Sequence, residues 1–342
     1  MPFLLICVPA QAQHWKVQTR GIDTSLRGVS IANIPNENGL LVPVVWASGS
    51  NGVILKSLDQ GKTWQRVDVK ESDRLDFRGI VALSEKTAYV MSSGEGDKSR
   101  IYKTTDGGET WSLQYSDHRK EFFLDSIACI SEKECIALGD PISGKFLLLK
   151  TTDGEHWTPL PTDNMPPALG GEGAFAASNS CILLRGSEIY FGTGGPAARV
   201  FHSSDGGLTW TVARTPIVEG NPSSGIFALA FDGKDRLIAI GGDYKQPDYS
   251  ERVAAYSADN GKTWQLAAKQ PRGFRSAVTY LGNWLWIAAG PGGEDASIDG
   301  GVHWNHEDSV NLNAFFILDV AHGWGVGAKG TIARFVFVHP ML

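Results

Sequence analysis

Thr104-Thr-Asp106-Gly-Gly108-Glu-Thr110-Trp111 is the stretch on which the fold turns. Asp followed by Gly at a tight turn lets a carboxylate accept backbone N–H bonds while glycine takes a positive φ. The Thr two residues before the Asp bonds the same turn, and the Trp opens the next strand with a large apolar face. Five relatives of this box occur in the chain: Ser57-Leu-Asp59-Gln-Gly61-Lys-Thr63-Trp64, Thr151-Thr-Asp153-Gly-Glu-His-Trp157 (one residue short), Ser203-Ser-Asp205-Gly-Gly207-Leu-Thr209-Trp210, Ser257-Ala-Asp259-Asn-Gly261-Lys-Thr263-Trp264 and Ser297-Ile-Asp299-Gly-Gly301-Val-His-Trp304. The six aspartates lie 47, 47, 52, 54 and 40 residues apart. Such a period holds four short strands and their turns, the size of a propeller blade. The turn chemistry accounts for these aspartates, so they are not catalytic candidates.

Between boxes the pattern also repeats. Phe77-Arg-Gly-Ile-Val-Ala-Leu83, Thr87-Ala-Tyr-Val-Met-Ser-Ser93, Arg100-Ile-Tyr-Lys-Thr104 and Trp111-Ser-Leu-Gln-Tyr115 read as strands A to D of one blade, from the channel outwards. Gly327-Ala-Lys-Gly330-Thr-Ile-Ala-Arg-Phe335 matches Gly49-Ser-Asn-Gly52-Val-Ile-Leu-Lys-Ser57, so a seventh blade begins near Leu312 and stops before its box. His14-Trp15-Lys-Val-Gln-Thr19 resembles the strand that follows a box and supplies the missing D strand. The expected fold is all-β: a seven-bladed β-propeller closed by the N-terminal strand pairing into the last blade, which leaves no open sheet edge. Removing residues 13–20 would unfasten the ring. The expected organisation is a signal-peptide remnant over 1–12, the propeller over 13–337 and a tail over 338–342.

The 342 residues carry a formal charge of −6 and no Lys/Arg run, which argues against a nucleic-acid partner. No apolar stretch of about 18 residues is present to span a bilayer. An apolar run ending in Ala10-Gln11-Ala12 reads as the tail of a signal peptide, so a periplasmic or secreted protein is expected. Of the four cysteines, Cys129 and Cys135 flank a hairpin-like turn. They either bridge across it or stay as two reduced, packed thiols. No cysteine spacing suits zinc or a redox CxxC pair.

The six S/T-x-D-x-G-x-T-W boxes resemble those of the Asp-box (BNR) propellers, a superfamily with sialidases, some glucan hydrolases, sortilin-type receptors and the photosystem II stability and assembly factors. Ala321-His-Gly-Trp-Gly-Val-Gly327 and Lys103-Thr-Thr-Asp-Gly-Gly-Glu-Thr-Trp111 are most similar to the last group, and the resemblance covers residues 13–337. It implies a non-enzymatic helper that binds protein or pigment–protein partners. One fold carries many functions, so the site has to decide.

In a propeller the starts of the A strands line the channel mouth. Aligning the seven gives Arg27, Arg78, Asp125, Glu172, Ser224, Arg275 and Asn313. The B-strand ends add Glu95, Asp140, Asp243, Tyr244 and Asp295 on the same face, as do the insertions Pro161–Gly171 and Asp243–Arg252. Arg27, Arg78 and Arg275 suit a carboxylate, sulfate or phosphate, or the acidic side chains of a protein. The carboxylates suit sugar hydroxyls or a cation. The ligand-binding set is therefore Arg27, Arg78, Arg275, Asp125, Glu172, Glu95, Asp243 and Tyr244; the bland alternative is that these charges merely pair around a wet channel. The expected partner is a protein, or a glycan or anionic small molecule, bound by a monomer with no cofactor and no metal.

The alternative is a sialidase-like glycoside hydrolase or another glycan-cleaving enzyme, with Asp125, Asp140, Glu172, Asp243 and Tyr244 as catalytic candidates. Arg27 sits roughly where sialidases keep one arginine, but their F/Y-R-I-P signature is absent. Gly192-Thr-Gly-Gly195 and Gly290-Pro-Gly-Gly293 read as B–C turns, not phosphate cradles. No GxSxG, HExxH or dinucleotide fingerprint appears. Histidines precede Trp15, Trp157 and Trp304, where blade packing is a simpler role than metal binding.

Overall fold

The computed structural model describes residues 13–35, 41–308 and 310–337. The Ala10-Gln11-Ala12 motif, Cys7 and the tail 338–342 lie outside the described residues. Seven antiparallel sheets follow one another, six of four strands and one of five. Blade 2 shows the common plan: Phe77–Ala82, Ala88–Ser92, Arg100–Thr104 and Ser112–Ser116 pair in sequence order. The helical segments among the described residues are two 3₁₀ turns, Gly96–Lys98 and Ala328–Gly330, and no helix is long and apolar enough to cross a membrane.

The box works by hydrogen bonding. In blade 2, Asp106 Oδ1 accepts from Thr110 N at 2.9 Å and Oδ2 from the Thr110 hydroxyl at 2.5 Å. The Thr104 hydroxyl meanwhile accepts from Gly108 N at 2.9 Å, and Gly108 sits at φ +95°. The hydroxyl and backbone donors of the residue four places on hold the carboxyls of Asp59, Asp106 and Asp205 down to about 2. In the two boxes that lack this Thr, His156 and His303 take its place, each Nδ1 2.7 Å from the aspartate. Both imidazoles are more than half exposed, so these histidines cap the turn rather than pack the blade, contrary to expectation.

The box tryptophans then wedge the blades apart at the right distance. Each contact between neighbouring sheets is a separate apolar cluster, and each of six holds one box indole: Trp64, Trp111, Trp157, Trp210, Trp264 or Trp304. The seventh cluster, between blades 6 and 7, is wedged by Trp15 from the N-terminal strand. That strand, Gln13–Thr19, pairs antiparallel with Ile332–Phe337, and Trp15 faces Phe335. Two bonds reach from it into blade 6: Trp15 N donates to Asp308 Oδ2 at 2.7 Å, and the indole Nε1 donates to Glu294. The ring is thus closed by one strand in the last sheet and one side chain in the sheet before it.

Cys129 and Cys135 are cross-strand partners in the A–B hairpin of blade 3 and form a disulfide. Cys181 is buried with a free thiol.

Glu294 is fully buried, and burial, reinforced by Asp308, Glu307 and Asp295, pushes its carboxyl up to about 8. Its folded value lies above its unfolded one, so its stabilising contribution is complete below about pH 4.5 and is lost as pH rises through 8. Urea unfolding should show an unfolding free energy that falls from pH 5 to about pH 8, by at most about 1.4 kcal/mol per pH unit, and then levels off. Glu294→Gln keeps an acceptor for Trp15 and cannot ionise, so this variant should flatten the profile; an unchanged slope would place the titration elsewhere.

Candidate functional site

A cavity of about 460 Å³ opens on the channel axis, with lining residues from blades 1, 2, 3, 5, 6 and 7 and from the connection between blades 3 and 4. That connection does not run along the rim. It dips into the ring and is stitched to four blades. Arg78 of blade 2 donates to Ala176 O at 2.8 Å. Asn179 Oδ1 accepts from Ile127 N at 2.7 Å, and its amide donates to Ile127 O at 3.0 Å, in blade 3. Leu229 N of blade 5 donates to Ser180 O at 2.9 Å, and the Ser178 hydroxyl reaches Ser276 O of blade 6 at 2.5 Å. Ala174 to Ala177 therefore form part of the cavity wall, and what would be an open channel is a cup.

This corrects the expected placement of Glu172. Strand A of blade 4 is Ile182–Arg185, some ten residues later than the alignment put it. Glu172 lies in the crossing connection, buried and fully engaged. Arg199 Nε donates to it at 2.9 Å, a second Arg199 nitrogen pairs with its other oxygen, and the Thr193 hydroxyl donates at 2.6 Å. The segment Gly-Glu-Gly-Ala-Phe-Ala-Ala has the small-apolar pattern of an inner strand, and only contacts with distant blades pull it across the axis.

Arg275 is the second correction. It is fully buried and spent on Asp295: Nε donates to Oδ2 at 2.7 Å, and NH1 donates to Phe274 O at 2.9 Å. Asp295 belongs to strand C, Gly293–Ser297, and not to the end of strand B. This pair stitches blade 6 internally and does not line the cup.

The remaining residues divide cleanly. Arg27, Arg78, Asp140, Tyr244 and Asn313 line the cavity. Arg78 is braced by Asp76 at 2.7 Å. Arg27 has no side-chain hydrogen bond or ion pair among the described residues, and its Nε is buried without an acceptor. Burial, then the neighbouring Arg78, lowers its pKa. Asp125 is buried behind the wall with neither carboxyl oxygen hydrogen-bonded, and burial next to Asp140 raises its pKa far above the usual range. Asp140 accepts from Ala174 N at 3.1 Å, and burial pushes it up to about 6. Asp243 caps the turn after strand B through Lys245 N at 2.9 Å, Ser224 bonds Asn221 O at 3.2 Å, and Glu95 is exposed before a 3₁₀ turn; none of these three lines the cup. A second hollow of about 610 Å³ adjoins it and shares Asp140, Ala174 and Phe175.

Sequence reasoning named Tyr244 but missed the phenylalanines of the wall. Phe175 stacks on Phe227 with centroids 3.9 Å apart at 10°, and Phe274 and Tyr244 meet Phe227 edge-on at 4.6 and 6.2 Å.

Fold and box geometry together define an Asp-box β-propeller. The BNR/Asp-box repeat family matches residues 102–113 and 255–266, the boxes of blades 2 and 5. Among solved structures the chain is similar to YCF48 bound to a D1 peptide, with TM-score 0.66 and 17% identity over 94% of this chain and 96% of that one. YCF48 from Cyanidioschyzon merolae gives TM-score 0.66 and 16% identity over 94% and 98%. An ancestral GH74 enzyme gives 0.63 and 14% over 96% of this chain but 48% of its own length. At these identities the likeness is one of fold. No curated protein matches.

Asn179 satisfies both the N–H and the C=O of Ile127, and its own φ of +62° suits Asn better than most residues. Asn179→Ala should cost about 1–3 kcal/mol in urea unfolding, since it orphans two backbone groups. A loss under about 0.5 kcal/mol would mean the crossing segment does not depend on this suture.

Proposed function

We propose that the protein is a non-enzymatic, exported propeller that binds a protein partner by capturing an acidic group at the channel mouth. The observation that carries the reading is Arg27: a part-buried guanidinium beside a second one, with no hydrogen bond or ion pair of its own among the described residues, since the carboxylate whose charge reaches it, Asp76, is bonded to Arg78. Desolvated cations are costly unless paired, so the site favours a carboxylate that would complete the pairing bidentately. The fold likeness to YCF48, which is known bound to a D1 peptide, supports a peptide-bearing partner over a free ion. The Cys129–Cys135 disulfide supports an oxidising compartment, in keeping with the signal-like N-terminus.

The glycosidase alternative needs two carboxylates facing each other across an open bond. Of its candidates, Glu172 lines the adjoining hollow with Asp140 but is locked by Arg199, Asp243 caps a turn and Asp125 is 1% exposed, which leaves Asp140 as the one carboxylate of this set lining the cup, beside Tyr244. Binding is the better use of this geometry.

Arg27→Glu and Arg78→Glu should each lower partner capture from a periplasmic extract by at least tenfold, about 1.4 kcal/mol, with the circular dichroism unchanged. Arg66→Glu, on the outer strand of blade 1 and exposed, serves as the control and should capture as wild type does. If both mouth variants recover the same proteins as wild type, the reading fails.

A further inference from the structure

The cup is chemically two-sided. Arg27 and Arg78 come from blades 1 and 2. In a ring of seven, the blades opposite are 4 to 6, and these supply most of the aromatics: Phe227 and Tyr244 from blade 5, Phe274 from the approach to blade 6, and Phe175 from the segment entering blade 4; Phe123 and Asp140, of blade 3 and its approach, stand beside Arg78's blade. The aromatic wall is built rather than incidental. Phe175 lies flat on Phe227 and against bare backbone: a Cβ at Gly194 or Gly225 would stand 2.4 or 3.0 Å from its ring. Gly225 also sits at φ +151°, where a side chain would be strained. Phe274 closes the other edge of Phe227, and Tyr244, half exposed, extends the wall towards solvent. Between the two sides lies a cavity of about 460 Å³, the size of a small-molecule or side-chain-pair pocket.

We propose that the cup takes an aromatic carboxylate: an acid on Arg27 and Arg78, joined to a planar apolar body that lies on Phe175 and Tyr244, with the buried Phe227 and Phe274 packed behind them. This rests on the reading of the two arginines as an anion site and adds the second half of the recognition. An anion alone would leave the aromatic wall wet, and an apolar ligand alone would bury Arg27 without a counter-charge. The same chemistry is offered by a free aromatic acid or by an aromatic residue next to Asp or Glu in a protein segment.

Calorimetric titration tests this with 2-naphthoate, succinate, 2-naphthylmethanol and a blocked Gly-Trp-Asp-Gly peptide. The expected result is naphthoate binding at least tenfold tighter than either succinate or the alcohol. Arg27→Gln should weaken naphthoate and succinate alike. Phe175→Ala should weaken naphthoate at least fivefold and leave succinate unchanged, and Tyr244→Ala, at a half-exposed position, repeats the test while keeping the Phe175–Phe227 stack in place. If the peptide displaces naphthoate, a protein segment is the source; if the free acid binds and the peptide does not, the source is a small molecule, and both results support the aromatic carboxylate. Succinate binding as tightly as naphthoate, with Arg27→Gln still weakening both, overturns this inference and leaves the anion site standing. Naphthoate binding unaffected by Arg27→Gln and matched by the alcohol overturns the anion site as well. No binding of naphthoate or peptide overturns the aromatic carboxylate.

Discussion

An indole held between two sheets is the contact on which this molecule depends. A four-stranded blade cannot bury both its faces by itself, so each must lean on the next. The box aspartate fixes the turn that aims the following tryptophan into that gap, and it does so with hydrogen bonds strong enough to keep its own carboxyl near 2 in three of the blades. Seven gaps have to be filled for the ring to close. Six indoles arrive from boxes, and the seventh arrives from the other end of the chain.

The closing gap is chemically unlike the others. In the box blades the tryptophan Nε1 of Trp64, Trp210, Trp264 and Trp304 donates to a glycine carbonyl of its own turn. Trp15 has no box, and its Nε1 instead finds the buried Glu294 of the preceding blade. A backbone carbonyl is replaced by a titratable group, so the seam joining the chain's two ends is the one wedge whose hydrogen bond is sensitive to proton concentration.

A rigid ring makes the cup possible because the connection from blade 3 to blade 4 can be spared from strand formation. It crosses the axis and is held by four blades at once. It contributes Phe175 to one wall and takes one donor from Arg78, while Arg27 is left with no partner among the described residues. The mouth therefore sets a guanidinium without a hydrogen-bond partner among the described residues in the same cavity as an aromatic surface, an arrangement that neither blade packing nor ring closure requires.

The blade count, the boxes and the closure by Trp15 were legible in the sequence because each rests on local chemistry repeated at a fixed period: a turn that needs Asp and Gly, a strand that needs alternation. Arg27 and Arg78 were legible as mouth residues for the same reason. Three things were not. Arg275 looked equivalent to them, but its burial against Asp295 depends on a bond between the approach to strand A and strand C of one blade. Glu172 sat in a segment with the pattern of an inner strand, and contacts with blades far away in the chain drew that segment across the axis. The aromatic wall joins residues from separate blades, which become neighbours when the ring brings them to one axis. A repeat can announce what each unit does for its neighbour, since that is short-range and periodic; what converges at the centre is set by all seven units together.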